Sequence, residues 1–281
     1  MSLLKGKDVA VELNNALKVE IDKICLNKRK PKLAIILVGN HPASLSYIKG
    51  KLSAAKSVGI ITELFQLEET SKQPDVLEVI EKLNNDDEVD GMILQLPLPK
   101  HLDERLLIDA ISQHKDADGF HTVNQGRLYQ SLSGIVPATP LGIIKLLEYY
   151  QIDVKGLNAV IIGRSNIVGF PVARLLMDRG ATITVCHSKT KDLTSHTLAA
   201  DIIVVAVGKA KMLKEEMVKQ GVIVIDVGIN RVDGKLLGDV DFEAIHKKAS
   251  WITPVPKGVG PMTIHGLLSN TLTLYKMHVK I

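Results

Sequence analysis

The sequence contains few cysteines and few aromatic residues. Cys25 and Cys186 are the two cysteines among 281 residues, and Phe, Trp and Tyr together make up 4%. Two cysteines so far apart in sequence argue against a disulfide scaffold and against a cysteine-based metal site. Grooves that bind nucleic acid combine a basic stripe with stacking aromatic residues. With no basic block beyond Lys28-Arg29-Lys30, nucleic-acid binding is not expected.

Long hydrophobic stretches are also missing. No run approaches the roughly 20 apolar residues that span a bilayer, and the first seven residues lack the apolar core of a signal peptide. We therefore expect a reduced, cytoplasmic protein that does not bind membranes. The apolar fraction is nevertheless 46%, and 35 basic against 31 acidic residues give a net charge of +4. This composition excludes a disordered chain, and the length favours two domains.

Strand-like and helix-like segments alternate along the chain. The predicted strands are 33–38, 63–67, 92–96, 159–162, 181–186, 201–207 and 222–227. The predicted helices include 44–58, 74–84, 103–113, 168–177, one around 214–219 and a terminal one at 262–277. This alternation predicts parallel βαβ units. We expect two α/β domains, 1–138 and 139–261, with a cleft between them and the terminal helix 262–281 packed back on the first.

The second domain carries a dinucleotide-binding signal. Strand 159–162 runs into Gly163-Arg164-Ser165 and then a helix, an arrangement whose backbone N–H groups and helix dipole bind a pyrophosphate. The pattern G-x-S-x-x-x-G is weaker than G-x-G-x-x-G. The next strand ends at His187-Ser188-Lys189 without the carboxylate that binds the ribose of NAD. Arg164 and a hydroxyl suit a 2′-phosphate, which favours NADP.

The first domain contains candidate catalytic residues. Tyr47 and Lys51 are one helical turn apart and share a helix face. The same pair marks short-chain dehydrogenases, but there the glycine fingerprint precedes the pair, whereas here it follows. Gln95 ends an apolar strand, where a polar side chain needs a partner or a ligand, and Asp118 lies in a glycine-containing loop. A solvent-exposed Tyr–Lys pair without function is the alternative interpretation.

Six motifs, in the same order, resemble the bifunctional methylenetetrahydrofolate dehydrogenase/methenyltetrahydrofolate cyclohydrolase family along nearly the whole chain. They are Ser44–Lys51, Gln95–Pro99, Lys115–His121, Gly163–Ser165, His187-Ser188 and Pro254–Thr263. The resemblance implies a folate-binding catalytic domain followed by a Rossmann-type NADP domain. It also implies oxidation of methylenetetrahydrofolate by NADP and hydrolysis of the product to 10-formyltetrahydrofolate, by a cytoplasmic homodimer that needs no metal.

The resemblance also implies the site residues. The catalytic residues would be Lys51, which handles protons, with Tyr47, Gln95 and Asp118. The substrate-binding residues would be Tyr47, Lys51, Leu94, Gln95, Leu96, Asp118, Pro256, Gly258, Gly260 and Pro261. The residues that contact NADP would be Gly163, Arg164, Ser165, Ser188 and Ile229.

Three positions depart from the family pattern. Ala138 stands where the family usually has Cys, Thr122 replaces a frequent Pro, and Lys257 replaces the first Gly of Pro-Gly-Gly-Val-Gly-Pro. If that glycine served a positive φ, lysine would be strained there by about 1–3 kcal/mol. We therefore predict that Lys257 has an ordinary negative φ.

Three other functions stay open at this stage. The chain could be a shikimate-type dehydrogenase on a similar two-domain frame, which reduction of NADP with methylenetetrahydrofolate would test. It could be a binding module without turnover, although the presence of both Tyr47 and Lys51 argues against that. It could also be a family member with only one of the two activities.

Overall fold

The computed structural model describes residues 2–281, apart from the side chains of residues 42, 43 and 46. The strands are β1 Ser2–Leu3, β2 Lys32–Val38, β3 Ile61–Leu67, β4 Gly91–Leu94, β5 Asn158–Ile162, β6 Thr182–Cys186, β7 Ile202–Val205, β8 Ile223–Asp226, β9 Asn230–Val232, β10 Lys235–Leu237 and β11 Trp251–Ile252. The α-helices are α1 Gly6–Ile24, α2 Pro42–Val58, α3 Gln73–Asn84, α4 Glu104–Ala110, α5 Thr122–Tyr129, α6 Ala138–Tyr149, α7 Gly169–Asp178, α8 Leu193–Ala199, α9 Phe242–Ile245 and α10 Val259–His278. The predicted α/β class is confirmed.

The chain divides into two compact units. The three-stranded unit comprises Glu12–Ala138 and Ile264–Ile281, and the six-stranded unit comprises Thr139–Thr263 with the residues up to Val11. The sequence pattern assigns residues 1–11 to the first domain instead. They join the six-stranded unit because β1 pairs in parallel with β11, Leu3 opposite Ile252. A two-residue strand is too short to produce an apolar pattern in the sequence.

The six-stranded unit contains a parallel sheet with the order β1-β11-β8-β7-β5-β6. Its central strands β5, β7 and β8 are apolar except for Asn158 at the start of β5 and Asp226 at the end of β8, as expected for parallel strands buried on both faces. Residues 202–205 of β7 are completely buried, for example. Because every strand runs the same way, all the loops that follow strand carboxyl ends meet at one edge. We call this edge the carboxyl edge.

The three-stranded unit contains the parallel sheet β3-β2-β4. The central strand β2 is buried on both faces, and its side chains alternate between two hydrophobic clusters. Leu33, Ile35 and Leu37 share one cluster with Leu268 and Tyr275 of α10. Ala34, Ile36 and Val38 share the other with Val76, Ile80 and Leu83 of α3. Both layers fix the position of β4, whose carboxyl end leads to Gln95.

Some elements differ from the sequence prediction. The helix expected around residues 214–219 is a 3-10 turn, Glu215–Met217, and the helix expected at 103–113 ends at Ala110. Helix α5 and the β9–β10 hairpin were not predicted, because both are short and largely polar. Within residues 2–281, no helix is long and apolar enough to cross a membrane. Among the same residues, His, Cys, Asp and Glu form no cluster of three that could bind a metal ion.

Candidate active site and cofactor site

Lys51 is a buried lysine at the centre of the three-stranded unit's candidate site. Helix α2 carries it, and only 7% of the residue is exposed. Its Nζ donates a hydrogen bond to Oε1 of Gln95 over 3.0 Å. Burial lowers the pKa of Lys51, and the negative charge of Asp118 opposes that shift. The amine is therefore easier to deprotonate than a solvated lysine, as a proton-handling group requires.

Gln95 is fixed in the orientation that serves Lys51. It follows β4, and its backbone N–H donates to the carbonyl oxygen of Ile36 over 2.8 Å. The side-chain Nε2 donates to the carbonyl oxygen of Leu96 over 2.7 Å. With Nε2 committed in this way, Oε1 is the atom that faces Lys51. A polar residue at the end of an apolar strand thus has the partner that the sequence predicts it must have.

Asp118 is the second titrating group of the site. Desolvation raises its pKa to about 6, the charge of Lys51 lowers it, and the charge of Asp116 raises it. The charge of each group, Lys51 and Asp118, shifts the pKa of the other. The structure thus joins Lys51 to Gln95 by a hydrogen bond and places Asp118 within the range of its charge; the catalytic roles of the three residues stay predictions.

Asp116 builds the loop that carries Asp118. Its buried carboxylate accepts hydrogen bonds from the backbone N–H groups of Gly119, Phe120 and His121, over 2.9–3.1 Å. It also accepts one from Nδ2 of Asn124 over 2.9 Å. The loop has its shape because one carboxylate collects these donors, a role that the sequence motif does not reveal.

Tyr47, Leu94 and Leu96 are three further residues that the resemblance assigns to the substrate, and each lies in a different environment. Tyr47 is partly buried, and desolvation raises the pKa of its phenol, so the hydroxyl stays protonated near neutral pH. Leu94 is 3% exposed and packs in the cluster on the α3 face of the sheet. The side chain of Leu94 thus lies in the hydrophobic core. Leu96 is partly buried and contributes the carbonyl oxygen that orients Gln95.

The segment Pro254–Thr263 follows β11 in the six-stranded unit. A Cβ atom on Gly258 would lie 2.4 Å from the carbonyl oxygen of Pro254, so glycine is required there. Gly260 and Pro261 lie in the first turn of α10. Lys257 has a φ of +82°, and the predicted negative φ is wrong. The backbone lies in the left-handed region that favours glycine, and lysine bears a strain of about 1–3 kcal/mol there.

The other two departures from the family pattern are accommodated locally. Thr122 is the first residue of α5, a position that tolerates proline because its N–H needs no partner inside the helix. Here that N–H donates to Oδ1 of Asp109 over 2.9 Å. Ala138 is 2% exposed, and a Cβ on Gly266 would lie 2.3 Å from its carbonyl oxygen.

The turn between β5 and α7 has the shape of a nucleotide-binding turn. Gly163 has a φ of +122°, and a Cβ there would lie 2.4 Å from the carbonyl oxygen of Ala206. A Cβ on Gly169 would lie 2.1 Å from the carbonyl oxygen of Gly163. Glycine at both positions brings strand, turn and helix together, which fits a bound dinucleotide. Ser165 Oγ accepts from the N–H groups of Val168 and Gly169, over 3.2 and 3.3 Å.

Arg164, Ser188 and Ile229 lie at the carboxyl edge and are exposed. They follow β5, β6 and β8 respectively, so the topology brings together three residues that are far apart in sequence. No carboxylate lies among the residues directly after β6. The first one along the chain, Asp192, accepts a hydrogen bond from the backbone N–H of Ser195 at the start of α8. The arrangement fits a nucleotide with a 2′-phosphate.

Two buried aspartates organise the same edge, and the sequence did not single them out. Asp239 is 0% exposed, and its carboxylate accepts from the backbone N–H groups of residues 207, 208 and 209, over 2.7–2.9 Å. Asp226 ends β8 and accepts from the N–H groups of Gly228, Asp239 and Val240. Desolvation raises the pKa of Asp226 to about 7. An acidic residue ending a buried strand is the signal that could have found it.

Comparisons with known proteins agree with this geometry. A family model described as the catalytic domain of tetrahydrofolate dehydrogenase/cyclohydrolase matches residues 4–118, and its NAD(P)-binding domain matches residues 137–279. The bifunctional protein FolD of Acholeplasma laidlawii is 54% identical over 273 residues, which cover 97% of this chain and 98% of that protein.

Solved structures give the same result. The bifunctional FolD enzyme of Campylobacter jejuni is 49% identical, with a TM-score of 0.96 and 99% of each chain covered. The methylenetetrahydrofolate dehydrogenase-cyclohydrolase of Trypanosoma brucei, solved with NADP and an inhibitor, is 34% identical. Its TM-score is 0.95, with 100% of this chain and 99% of that chain covered. The chain belongs to the tetrahydrofolate dehydrogenase/cyclohydrolase family.

Proposed function

We propose that this protein oxidises 5,10-methylenetetrahydrofolate with NADP and then hydrolyses the 5,10-methenyltetrahydrofolate to 10-formyltetrahydrofolate. The observation that carries the proposal is the buried Lys51–Gln95 hydrogen bond beside Asp118. A shikimate-type dehydrogenase is disfavoured by the family match over residues 4–118 and 137–279. A binding module without turnover would not need a desolvated lysine.

The first step is a hydride transfer. NADP held by Gly163, Arg164, Ser165, Ser188 and Ile229 would supply the hydride acceptor for the methylene carbon of the folate, whose oxidation gives the methenyl cation. No proton is exchanged in that step, so the protein needs to orient the substrate and exclude water. Asp118 suits the amino and ring N–H donors of the pterin, because an ionised carboxylate only accepts hydrogen bonds.

The second step is hydrolysis. A water molecule adds to the methenyl carbon, a carbon–nitrogen bond of the ring opens, and the added hydroxyl loses its remaining proton to solvent as the formyl C=O forms. Lys51 in its neutral form accepts the proton from water and returns it to the departing nitrogen. The amine of Lys51 donates one N–H to Oε1 of Gln95, which leaves the lone pair of the lysine nitrogen free. Tyr47, protonated near neutral pH, orients the folate rings.

Cofactor choice is the finer part of the proposal. Arg164 and Ser188 at the carboxyl edge, with no free carboxylate after β6, support NADP over NAD. We also propose that the protein works as a homodimer in the cytoplasm. There it would supply one-carbon units for the synthesis of purines, histidine and methionine.

A two-wavelength assay tests the function. Purified protein is mixed with NADP and methylenetetrahydrofolate, and NADPH and methenyltetrahydrofolate are followed together. NADPH should form, and the methenyl absorbance should rise and then fall as hydrolysis proceeds. NADPH without loss of the methenyl compound would show a dehydrogenase only, and no NADPH would reject the proposal.

A further inference from the structure

The carboxylate of Asp226 holds two segments that are far apart in sequence. Asp226 is 3% exposed and lies at the end of β8. Its Oδ1 accepts hydrogen bonds from the backbone N–H groups of Gly228 and Asp239, over 3.0 and 2.9 Å. Its Oδ2 accepts one from the N–H of Val240 over 3.0 Å. One buried carboxylate thus fixes the turn after β8 and the segment that follows the β9–β10 hairpin.

Asp239 extends this network to the loop after β7, residues 207–209. The backbone of Asp239 is held by Asp226, and its own carboxylate accepts from the three N–H groups of that loop, over 2.7–2.9 Å. Nδ2 of Asn230 donates a fourth hydrogen bond to the same carboxylate over 2.9 Å. The two aspartates therefore act in series, so that a displacement of Asp226 is passed on to the loop after β7.

The two carboxylates are packed tightly against the backbone. A Cβ on Gly238 would collide with Oδ2 of Asp226, and a Cβ on Gly228 would collide with Oδ1 of Asp239. Contacts this close leave neither carboxylate room to change its rotamer. A change at either aspartate must therefore move a backbone segment.

The segments that the aspartates hold lie in the row of proposed cofactor contacts. In sheet order, Ile229 follows β8, residues 207–209 follow β7, and Gly163 follows β5. The loop after β7 thus lies between two predicted contact positions along the carboxyl edge. A Cβ on Gly163 would collide with the carbonyl oxygen of Ala206, so the chain at the end of β7 packs directly against the glycine turn.

This row presents apolar side chains to solvent. Val207 is 39% exposed and Ile229 is 42% exposed, although the strands that precede them are buried. Apolar surface at the edge where a parallel sheet binds its ligand suits the rings of a dinucleotide. The N–H of Val207 is bound by Asp239, and the residue before Ile229 is bound by Asp226. The buried carboxylates therefore set the positions of side chains that face the cofactor.

The ionisation state of Asp226 decides whether this network is complete. An ionised carboxylate only accepts hydrogen bonds, whereas a protonated one turns an O–H against one of its three N–H partners and loses that bond. Desolvation raises the pKa of Asp226 to about 7; the three N–H donors oppose that shift, and the charge of Asp239 adds to it. From β11, the hydroxyl of Thr253 accepts from the N–H of Asp226 over 2.7 Å.

We propose that Asp226 is a positioning residue for the dinucleotide, acting directly on the turn that carries Ile229 and through Asp239 on the loop after β7. Binding of a proton by Asp226 breaks one hydrogen bond of the network and weakens the binding of the cofactor. The inference rests on the proposed function and deepens it, because it names the buried group that shapes the cofactor site.

Direct binding of NADPH to the full-length protein tests the proposal, followed by the fluorescence of NADPH between about pH 6 and pH 8. With a pKa of about 7, the ionised fraction of Asp226 falls from about 0.9 to about 0.1 over this interval. The Kd should rise by up to about tenfold towards pH 6, because only the ionised form is competent to bind. Asp226→Asn should bind NADPH about tenfold more weakly at pH 8 and lose most of this pH dependence.

The comparison between the two proteins isolates Asp226 from the ligand. The 2′-phosphate of NADPH itself titrates near pH 6, but that titration is common to the unmodified protein and to Asp226→Asn. NADH has no 2′-phosphate, and its Kd should show the same difference between the two proteins. Identical pH profiles of the Kd in both proteins would overturn the proposal.

The matched control is Asp201→Asn. Asp201 precedes β7 at the opposite, amino end of the same sheet, where it accepts from the N–H of Asn158 over 2.8 Å and pairs with Lys219. Loss of its charge should lower the stability of the unit and leave the Kd for NADPH unchanged. An equal rise of the Kd in this variant would assign the effect to general loosening of the sheet and reject the role of Asp226.

Hydrogen exchange of the unmodified protein gives a second measurement that does not depend on the folding of Asp226→Asn. Protection factors, which correct for the intrinsic pH dependence of exchange, are compared at pH 6 and pH 8 for the N–H groups of residues 207–209, 228, 239 and 240. Protection should fall severalfold at pH 6 in these groups and stay constant at Asn158. Constant protection in all of them would contradict the proposal.

Failure of this inference differs from failure of the proposed function. NADPH binding with a Kd that changes neither with pH nor in Asp226→Asn rejects the role of Asp226 and leaves the proposed function intact. Absence of NADPH binding to the unmodified protein at every pH counts against the proposed function itself.

Discussion

The two units build their sites by different means. In the three-stranded unit, the chemistry lies in buried side chains, and Lys51 has an altered pKa because it is desolvated beside Gln95 and Asp118. In the six-stranded unit, the proposed cofactor contacts are exposed side chains and a backbone turn, and the buried carboxylates of Asp226 and Asp239 hold the loops. A proton-handling group needs desolvation, whereas a cofactor site needs a fixed backbone shape.

The largest effect is expected at Lys51. Lys51→Met should lower the hydrolytic rate by about 10²–10⁴, the usual contribution of a general acid–base group. The dehydrogenase should fall less, because hydride transfer exchanges no proton, and methenyltetrahydrofolate should accumulate. Hydrolysis of added methenyltetrahydrofolate is the measurement, with Lys49→Met, an exposed lysine of the same helix, as control. An unchanged hydrolytic rate would show that Lys51 is not the proton-handling group.

Asp239 tests whether the six-stranded unit depends on its buried carboxylates. Asp239→Asn keeps one acceptor oxygen but removes the negative charge of the carboxylate. Each hydrogen bond from a backbone N–H to that charged carboxylate contributes about 1.5–3 kcal/mol. We expect the dehydrogenase kcat/KM for NADP to fall about a hundredfold, mainly through KM. Hydrolysis of added methenyltetrahydrofolate should change little, because none of the proposed hydrolytic residues lies in this unit.

The control for this experiment is Asp233→Asn, an exposed aspartate at the tip of the β9–β10 hairpin. It should change neither activity nor melting temperature. Parallel loss of both activities in Asp239→Asn would mean that the two sites do not depend on separate structural features, and the contrast between the units would fail.

The sequence predicts these two sites unequally well. Lys51 is predicted from its spacing with Tyr47, Gln95 from its place at the end of an apolar strand, and Asp118 from its glycine-containing loop. The structure joins Lys51 to Gln95 by a hydrogen bond. Asp116 and Asp239 are not predicted, because most of their partners are backbone N–H groups, and a sequence does not show which donors a fold leaves unpaired. The fold class follows from strand and helix alternation, whereas the placement of residues 1–11 depends on pairing with β11.

The backbone conformation of Lys257 is another feature that the sequence does not predict. Because φ is a property of the backbone, the residue type indicates only the usual preference, and lysine ordinarily avoids the left-handed region. The surrounding segment, with Gly258 against the carbonyl oxygen of Pro254, sets the conformation instead. The residue type at position 257 therefore does not reveal the backbone conformation there.

Cofactor choice should respond to one exposed side chain. Arg164→Ala should lower kcat/KM with NADP about ten- to a hundredfold, the value of one charge-assisted hydrogen bond of about 1.5–3 kcal/mol. The kcat/KM with NAD should change little, since NAD has no 2′-phosphate. Arg231→Ala, an exposed arginine of β9, is the control. Equal efficiencies with NADP and NAD in the unmodified protein would contradict the assignment.

The smallest effect is expected from the titration of Asp118. Its pKa of about 6 means that the carboxylate becomes protonated as the pH falls from 7 to 5, and it then accepts fewer hydrogen bonds from the pterin. The KM for methylenetetrahydrofolate should rise about three- to tenfold over that interval. Asp118→Asn should have a higher KM that no longer depends on pH. A KM that rises equally in both proteins would assign the titration to another group.

The raised pKa of Asp118 also predicts that the folded protein loses stability as the pH rises. The pKa of Asp118 is raised from 3.8 in the unfolded chain to about 6 in the folded protein, so the folded state binds more protons between these values. Its contribution to the free energy of unfolding is then lost as the pH rises from about 4 to about 6. Urea denaturation at a series of pH values should show this loss in the unmodified protein and a shallower one in Asp118→Asn. If both proteins lose stability equally over this range, Asp118 is an ordinary solvated carboxylate, and the desolvation that distinguishes the Lys51 site does not extend to it.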